Sequence, residues 1–199
     1  MNLTTLAKLK EHIGIPSSNT DKDSLLASII TGVSSFIEEH THRKFAVTEY
    51  TEIIDGGNFD EIFLKQYPIR EVLTLTINSA PIDLDSGEED GTIIITKESG
   101  AIYKASGFGS GRKAVKIVYT AGYNDPSDEE ESGDSVSSDY EDLPVAIQTA
   151  ATRLAARVYE RRTAEGVSST SAGSFSVQYK DAVDSDVSGV LDSYKKIRI

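Results

Sequence analysis

The chain has 199 residues and a formal net charge of −12, with 38% of residues hydrophobic, 26% charged and none of them cysteine. That length supports one core, or a core with a smaller lobe. Without cysteine, disulfides and thiolate metal sites are excluded. No apolar run approaches the roughly eighteen residues of a membrane span, and the acidic balance argues against holding DNA by phosphate neutralisation. The opening MNLTTLAKLKEHIG has neither the long apolar run nor the small-residue cleavage site of a signal peptide, so assembly inside the cell is expected.

Residues Thr4 to Ile13 place Leu6, Leu9 and Ile13 at spacings of three and four, which predicts a short amphipathic helix stopped by Gly14 and Pro16. A second helix is predicted to about His40, with Thr20 as N-cap and Asp21 and Asp23 near its unpaired N–H groups. Its apolar stripe is Leu25, Leu26, Ile29, Ile30, Val33, Phe36 and Ile37. Gly32 costs that helix roughly 1 kcal/mol against Ala, and a close helix crossing would explain it.

The period changes after Phe45. VTEYTEIIDGG, FDEIFL, IREVLTLTIN, TIIIT, AIYK and AVKIVYTAGY are short, rich in β-branched or aromatic residues, and bounded by Gly, Pro, Asn or Asp. In REVLTLTIN, Val72, Thr74 and Thr76 alternate with Leu73, Leu75 and Ile77. Residues 46 to 122 therefore read as five to seven antiparallel strands, because the turns are too short for parallel crossovers. Tyr67, Tyr103, Tyr119 and Tyr123 are expected to pack the sheet.

From Asp125 to Asp142 there are nine acidic residues and no basic one. Setting these nine aside leaves about −3 for the rest, an ordinary surface. Such a segment is too polar to bury anything and is expected to be mobile. Helix resumes at DLPVAIQTAATRLAARVYERR, with Pro144 in the first turn, Asp142 as cap, and Ile147, Ala151, Leu154, Ala155 and Val158 facing inward. Arg161 and Arg162 suit its C-terminal end. A small-residue loop, GVSSTSAGS, should lead to a strand at FSVQY, and Val187, Val190, Leu191 and Tyr194 to a last short helix from Asp184 to about Lys196.

This order resembles the head–tail connector (adaptor, or head-completion) proteins of long-tailed bacteriophages. The likeness lies in Gly14-Ile15-Pro16 followed by DKDSLLASIITGVSSFIEEHTHRKF, then YPIREVLTLTIN, VKIVYTAGY and LPVAIQTAATRLAARVYERR, in that sequence. It implies a virion-neck protein assembled in the host cytoplasm: a ring of about a dozen copies between the portal and the next neck or tail-completion protein. DNA would pass through without specific binding, and no membrane or cofactor is involved. It also implies a portal-gripping C-terminal segment, here Tyr194, Lys195, Lys196, Ile197, Arg198 and Ile199, which is basic and partly apolar. The acidic insertion is longer than the family pattern. Asp128, Glu129, Glu130 and Glu131 would suit a channel wall, where they repel DNA phosphate.

Other chemistry is weaker. His40 and His42 form H-x-H near a helix end, whereas helical metal ligands need i and i+4; helix-end histidines favour the dipole instead. Gly107 to Arg112, GFGSGR, matches neither phosphate-binding glycine pattern and precedes a strand, so a hairpin loop is expected. Asp184, Asp186, Ser188 and Gly189 begin like a calcium loop, but Lys195 stands where the bidentate Glu belongs. There is no G-x-S-x-G elbow.

The fold class is therefore α+β, a bundle of about four helices with an inserted antiparallel β-sheet lobe. The expected boundaries are 1–45 and 142–199 for the bundle, 46–122 for the lobe and 123–141 for the acidic loop. Function is expected to be structural, with no enzyme activity. The alternative from another class is a phage-encoded, non-catalytic binding module whose β lobe recognises a tail or host ligand. That would need an exposed aromatic patch on the lobe.

Overall fold

A computed structural model describes residues 1–57, 59–126, 142–162, 169–172, 175–178 and 185–195. Among these are five helices: α1 (Leu6–His12), α2 (Asp23–Thr41), α3 (Leu84–Glu89), α4 (Val145–Arg161) and α5 (Ser185–Ser193). The strands are β1 (Thr48–Gly56), β2 (Glu61–Phe63), β3 (Ile69–Ile77), β4 (Ala80–Ile82), β5 (Ile93–Thr96), β6 (Ala101–Lys104), β7 (Gly111–Ala121), β8 (Ser169–Ala172) and β9 (Phe175–Gln178). Met1–Arg43 and Asp142–Ile199 belong to a helical unit, and Lys44–Asn124 to a β unit.

In the helical unit, Thr5 caps α1 by accepting the Lys8 N–H at 3.2 Å. Helix α2 starts without a side-chain cap; Thr20 offers only its carbonyl, to the Asp23 N–H at 3.1 Å. It ends where His42 turns left-handed (φ 55°), and the N–H groups of His42 and Arg43 return to the carbonyls of Glu39 and Glu38. Leu26, Ile30, Val33 and Ile37 form its buried face, while Leu25 and Phe36 are exposed. The predicted stripe was too wide, because seven apolar residues cover more of the circumference than one core contact can. Among the described residues Gly32 marks no crossing: none of them lies within 4 Å of where its Cβ would be.

Helix α4 packs on α1, α2 and α5. Ala150, Ala151, Ala155 and Ala156 are buried beside Ile147 and Leu154, and these small side chains let neighbours approach from several sides. Val158, expected on that face, is exposed. Pro144 stands just outside the helix as its N-cap, and no side chain caps it there, so Asp142 does not take the role expected of it. Strands β8 and β9 pair antiparallel, so part of the predicted small-residue loop is itself strand.

The β unit has a four-stranded sheet, order β1-β7-β3-β4, and a three-stranded sheet, order β2-β6-β5. Its core draws Leu75, Val115, Ile117 and Tyr119 from the first and Ile62, Ile93 and Ile102 from the second. Two register shifts in β3, between Ile69 and Glu71 and between Val72 and Thr74, break the simple alternation. Val72, Leu75 and Ile77 consequently meet the core, and Leu73 is exposed. Helix α3 was not anticipated; Asp83 caps it, accepting from Ser86 N at 3.3 Å and Ser86 Oγ at 2.9 Å. The glycine-rich stretch at 107–110 is not a hairpin loop, since it carries the chain from β6 in one sheet to β7 in the other. Phe108, within it, is fully buried in the core.

Candidate functional site

Of the six residues expected to grip a partner, Tyr194 and Lys195 lie at the end of the described chain. Lys196, Ile197, Arg198 and Ile199 are outside the described residues, as are Asp128, Glu129, Glu130 and Glu131. Asp184, where the last helix was expected to begin, is also outside them.

What the structure defines is how the base of the C-terminal segment is seated. Val187 and Leu191, one turn apart on α5, are buried. Beyond them Asp192 Oδ1 lies 2.6 Å from Lys195 Nζ and 3.2 Å from His40 Nε2. His40 is in the last turn of α2, and its ring stacks on Phe36 with centroids 6.0 Å apart. The hydrogen bond from Lys195, then that from His40, holds the Asp192 carboxyl below the ordinary carboxylate range. Asp192 thus ties α5, and the lysine that follows it, to the end of α2. The two histidines of H-x-H have separate tasks, His40 in this hydrogen bond to Asp192 and His42 as the left-handed helix cap. Among the described residues no three His, Asp or Glu side chains come together in a way that could hold a metal ion.

A groove of about 540 Å³ runs beside α1 and α4, lined among others by Lys8, Glu11, His12, Gln148 and Arg153. Its polar groups hold the helices to one another. Lys8 Nζ donates to Gln148 Oε1 at 2.7 Å, and Gln148 Nε2 donates to the Leu143 carbonyl at 2.8 Å. Thr152, also on the groove, shares a 2.7 Å hydrogen bond with the buried Thr4. With charges of both signs and its amide already engaged, the groove serves assembly of the helical unit.

In the β unit, a buried polar pair is the feature that sequence reasoning missed. Tyr119 Oη donates to Glu52 Oε1 at 2.5 Å, and Glu52 Oε1 also accepts the Lys65 N–H at 2.8 Å. The phenol in turn accepts the Gln66 N–H at 3.2 Å. Burial, then the neighbouring carboxylate, pushes the Tyr119 hydroxyl far above its usual value, so it stays a proton donor. Its place is to fasten the 65–66 turn to the four-stranded sheet. The only sequence signal was a glutamate at an inward position of β1, between Tyr50 and Ile54. Phe59 and Phe63 are exposed on this unit.

The Tyr-Thr-Ala-Gly-Tyr end of β7 has a steric reason. Gly122 has φ 134°, and a Cβ there would lie 2.6 Å from the backbone carbonyl of Ala46. That close approach lets Tyr123 N–H reach the Phe45 carbonyl at 2.8 Å and Gly122 N–H reach that of Pro68 at 3.0 Å. The peptide bond before Pro68 is cis.

The model of a family described as "Head completion protein" matches residues 2–197. No curated protein matches the sequence. Among solved structures, a chain in the neck of a native gene transfer agent (GTA) particle, computed with C12 symmetry, aligns with a TM-score of 0.53 and 15% identity over 98% of this chain and 89% of that one. A chain in the neck of the empty particle, computed with C6 symmetry, gives 0.52 and 18% over 97% and 89%. One in the virion of the native particle gives 0.52 and 17% over 97% and 89%. At these identities the likeness is one of fold.

Proposed function

This chain belongs to the head completion protein family, and we propose that it acts as an adaptor subunit of a virion neck. About twelve copies form a ring, as the C12 symmetry of the similar neck suggests. The ring joins the portal to the next neck or tail-completion protein and surrounds the DNA without binding it specifically. The chain works by assembly and carries no catalysis.

The observation that carries this reading is a family match spanning 2–197 together with a fold shared with neck proteins along nearly the whole chain. The seating of α5 adds a physical reason. A partner gripped by residues 194–199 must transmit force to a fixed point, and Val187, Leu191 and the Asp192–His40 contact supply one in the helical unit. The acidic residues 128–131 suit a channel wall, since carboxylates repel phosphate and let DNA slide.

The test is single-particle electron microscopy of the chain mixed with the portal protein encoded in the same genome. A ring stacked on the narrow end of the portal is the expected result. Bare portals at micromolar excess of the chain would overturn the adaptor role and favour a binding module, with Phe59 and Phe63 as the surface to probe.

A further inference from the structure

The outer face of α2 meets no partner among the described residues that would explain its composition. From Ser24 to Ile37 the helix runs fourteen residues without a charge, in a protein where 26% of residues are charged. One side of that stretch is core. The other carries Leu25 (42% exposed), Ser28, Gly32 and Phe36 (43% exposed), at the spacings of a single helix face, and then Glu39. Ser28 turns its hydroxyl onto the Leu25 carbonyl of its own helix at 2.8 Å, so it offers no unmet donor to solvent. Gly32 weakens the helix, yet its missing Cβ makes room for nothing among the described residues. A mid-helix glycine between two exposed apolar side chains is suited to the close approach of another molecule.

We infer that the outer face of α2, centred on Gly32 between Leu25 and Phe36, is the surface against which the neighbouring copy of this chain packs in the ring. This rests on the adaptor reading above. In a closed ring each contact joins two different surfaces of the same chain, so α2 must meet another element of its neighbour. Charge complementarity selects the exposed end of α4. Val158 is 45% exposed there and Arg162, one turn on, presents a guanidinium held over the Tyr159 ring at 3.7 Å. Apolar Val158 matches the Leu25–Phe36 strip, and Arg162 matches Glu39 at its acidic end.

The experiment counts rings on portals for the wild type and for Gly32→Gln and Phe36→Glu, with the melting of each free chain as the folding control. Gly32→Ala should raise the melting temperature of the free chain by about 3 °C, because a methyl there meets nothing and improves the helix. Gly32→Gln should fold as well as wild type yet lower ring occupancy by about tenfold, and Phe36→Glu should do the same. Glu39→Arg and Arg162→Glu should each weaken the ring, and together restore it. A wild-type ring that Gly32→Gln and Phe36→Glu also build would overturn this surface alone, whereas a wild type that builds no ring would remove the adaptor reading and this surface with it. Variants that no longer attach to the portal even as single subunits would assign the face to the portal and overturn the proposal. A charge-swapped pair no better than its single variants would overturn the match with α4.

Discussion

Tyr119 donates its phenolic hydrogen to Glu52 at 2.5 Å inside the β unit, joining residues 67 positions apart in the chain. The two stand on adjacent strands, with Tyr119 directly opposite Tyr50 and Glu52 directly opposite Ile117, so the hydrogen bond runs diagonally across the β1–β7 pair. It ends on a carboxylate buried to 8% exposure. A buried carboxylate is costly without donors; here Tyr119 and the Lys65 N–H both donate to Oε1, while Oε2 is buried with no hydrogen-bond partner among the described residues.

Tyr119→Phe should therefore destabilise the chain by about 2 kcal/mol, the scale of a hydrogen bond to a charged group, as read from denaturant unfolding. The pH dependence has a definite sign. In the unfolded chain a tyrosine loses its proton near pH 10.0, whereas folded Tyr119 keeps it well above that. Over that interval the folded state binds more protons, so this contribution is complete below pH 10 and is lost as the pH rises beyond it. Midpoints measured at about pH 9 and about pH 11 should fall more steeply for the wild type than for Tyr119→Phe. Equal slopes would show that the buried phenol is not the group responsible.

Gly122→Ala should cost roughly 2 to 3 kcal/mol, because the added methyl meets the Ala46 carbonyl and the backbone is held at φ 134°. Gly91→Ala is the control. Gly91 also has a positive φ, but open space surrounds its missing Cβ, so its loss should be only about 1 kcal/mol. Thermal unfolding of the two variants separates clash from conformational strain, and equal losses would remove the clash as a cause.

Removing Tyr194 to Ile199 should abolish attachment to the portal while leaving the melting temperature close to wild type. Asp192→Asn should act more gently, loosening the turn in which the Lys195 N–H donates to the Asp192 carbonyl at 3.2 Å. Faster amide exchange at Lys195 is the readout. The depressed carboxyl of Asp192 means that this contact is present above the ordinary value of 3.8 and is lost as the pH falls through the lower folded value. Protection at Lys195, taken relative to the intrinsic exchange rate at each pH, should then fall in acid for the wild type and stay level for the Asn variant.

Deleting residues 128–140 should leave the melting temperature unchanged, since the stretch has almost nothing apolar to bury. Pro126 is buried and should stay in the deletion variant. A large fall in melting temperature would show that the acidic segment is part of the fold.

Much of the fold was legible because period and punctuation are local properties. The helical spacing of Leu26, Ile30, Val33 and Ile37 and the β-branched runs around Ile93 and Val115 each report one buried face, and Gly and Pro mark where elements stop. The errors arose where local signals meet tertiary constraint. Leu25 and Phe36 belong to the apolar pattern of α2 but lie off its core face, and the bulge in β3 puts Leu73 outside. The GFGSGR stretch looked like a hairpin loop because sequence does not reveal that β6 and β7 belong to different sheets.

The same division holds for the candidate site. The order and chemistry of the elements, the family they resemble, and the basic, partly apolar C-terminal segment are all carried by the sequence, because they depend on neighbours in the chain. Where that segment is anchored, which donors meet a buried carboxylate, and which glycine has nothing beside it among the described residues depend on residues far apart in sequence. Asp192 meets His40 from 152 positions away, and Gly32 acquires its meaning only once the space around it is known to be empty. Pairing across such separations is set by packing of the whole unit, which no local pattern encodes.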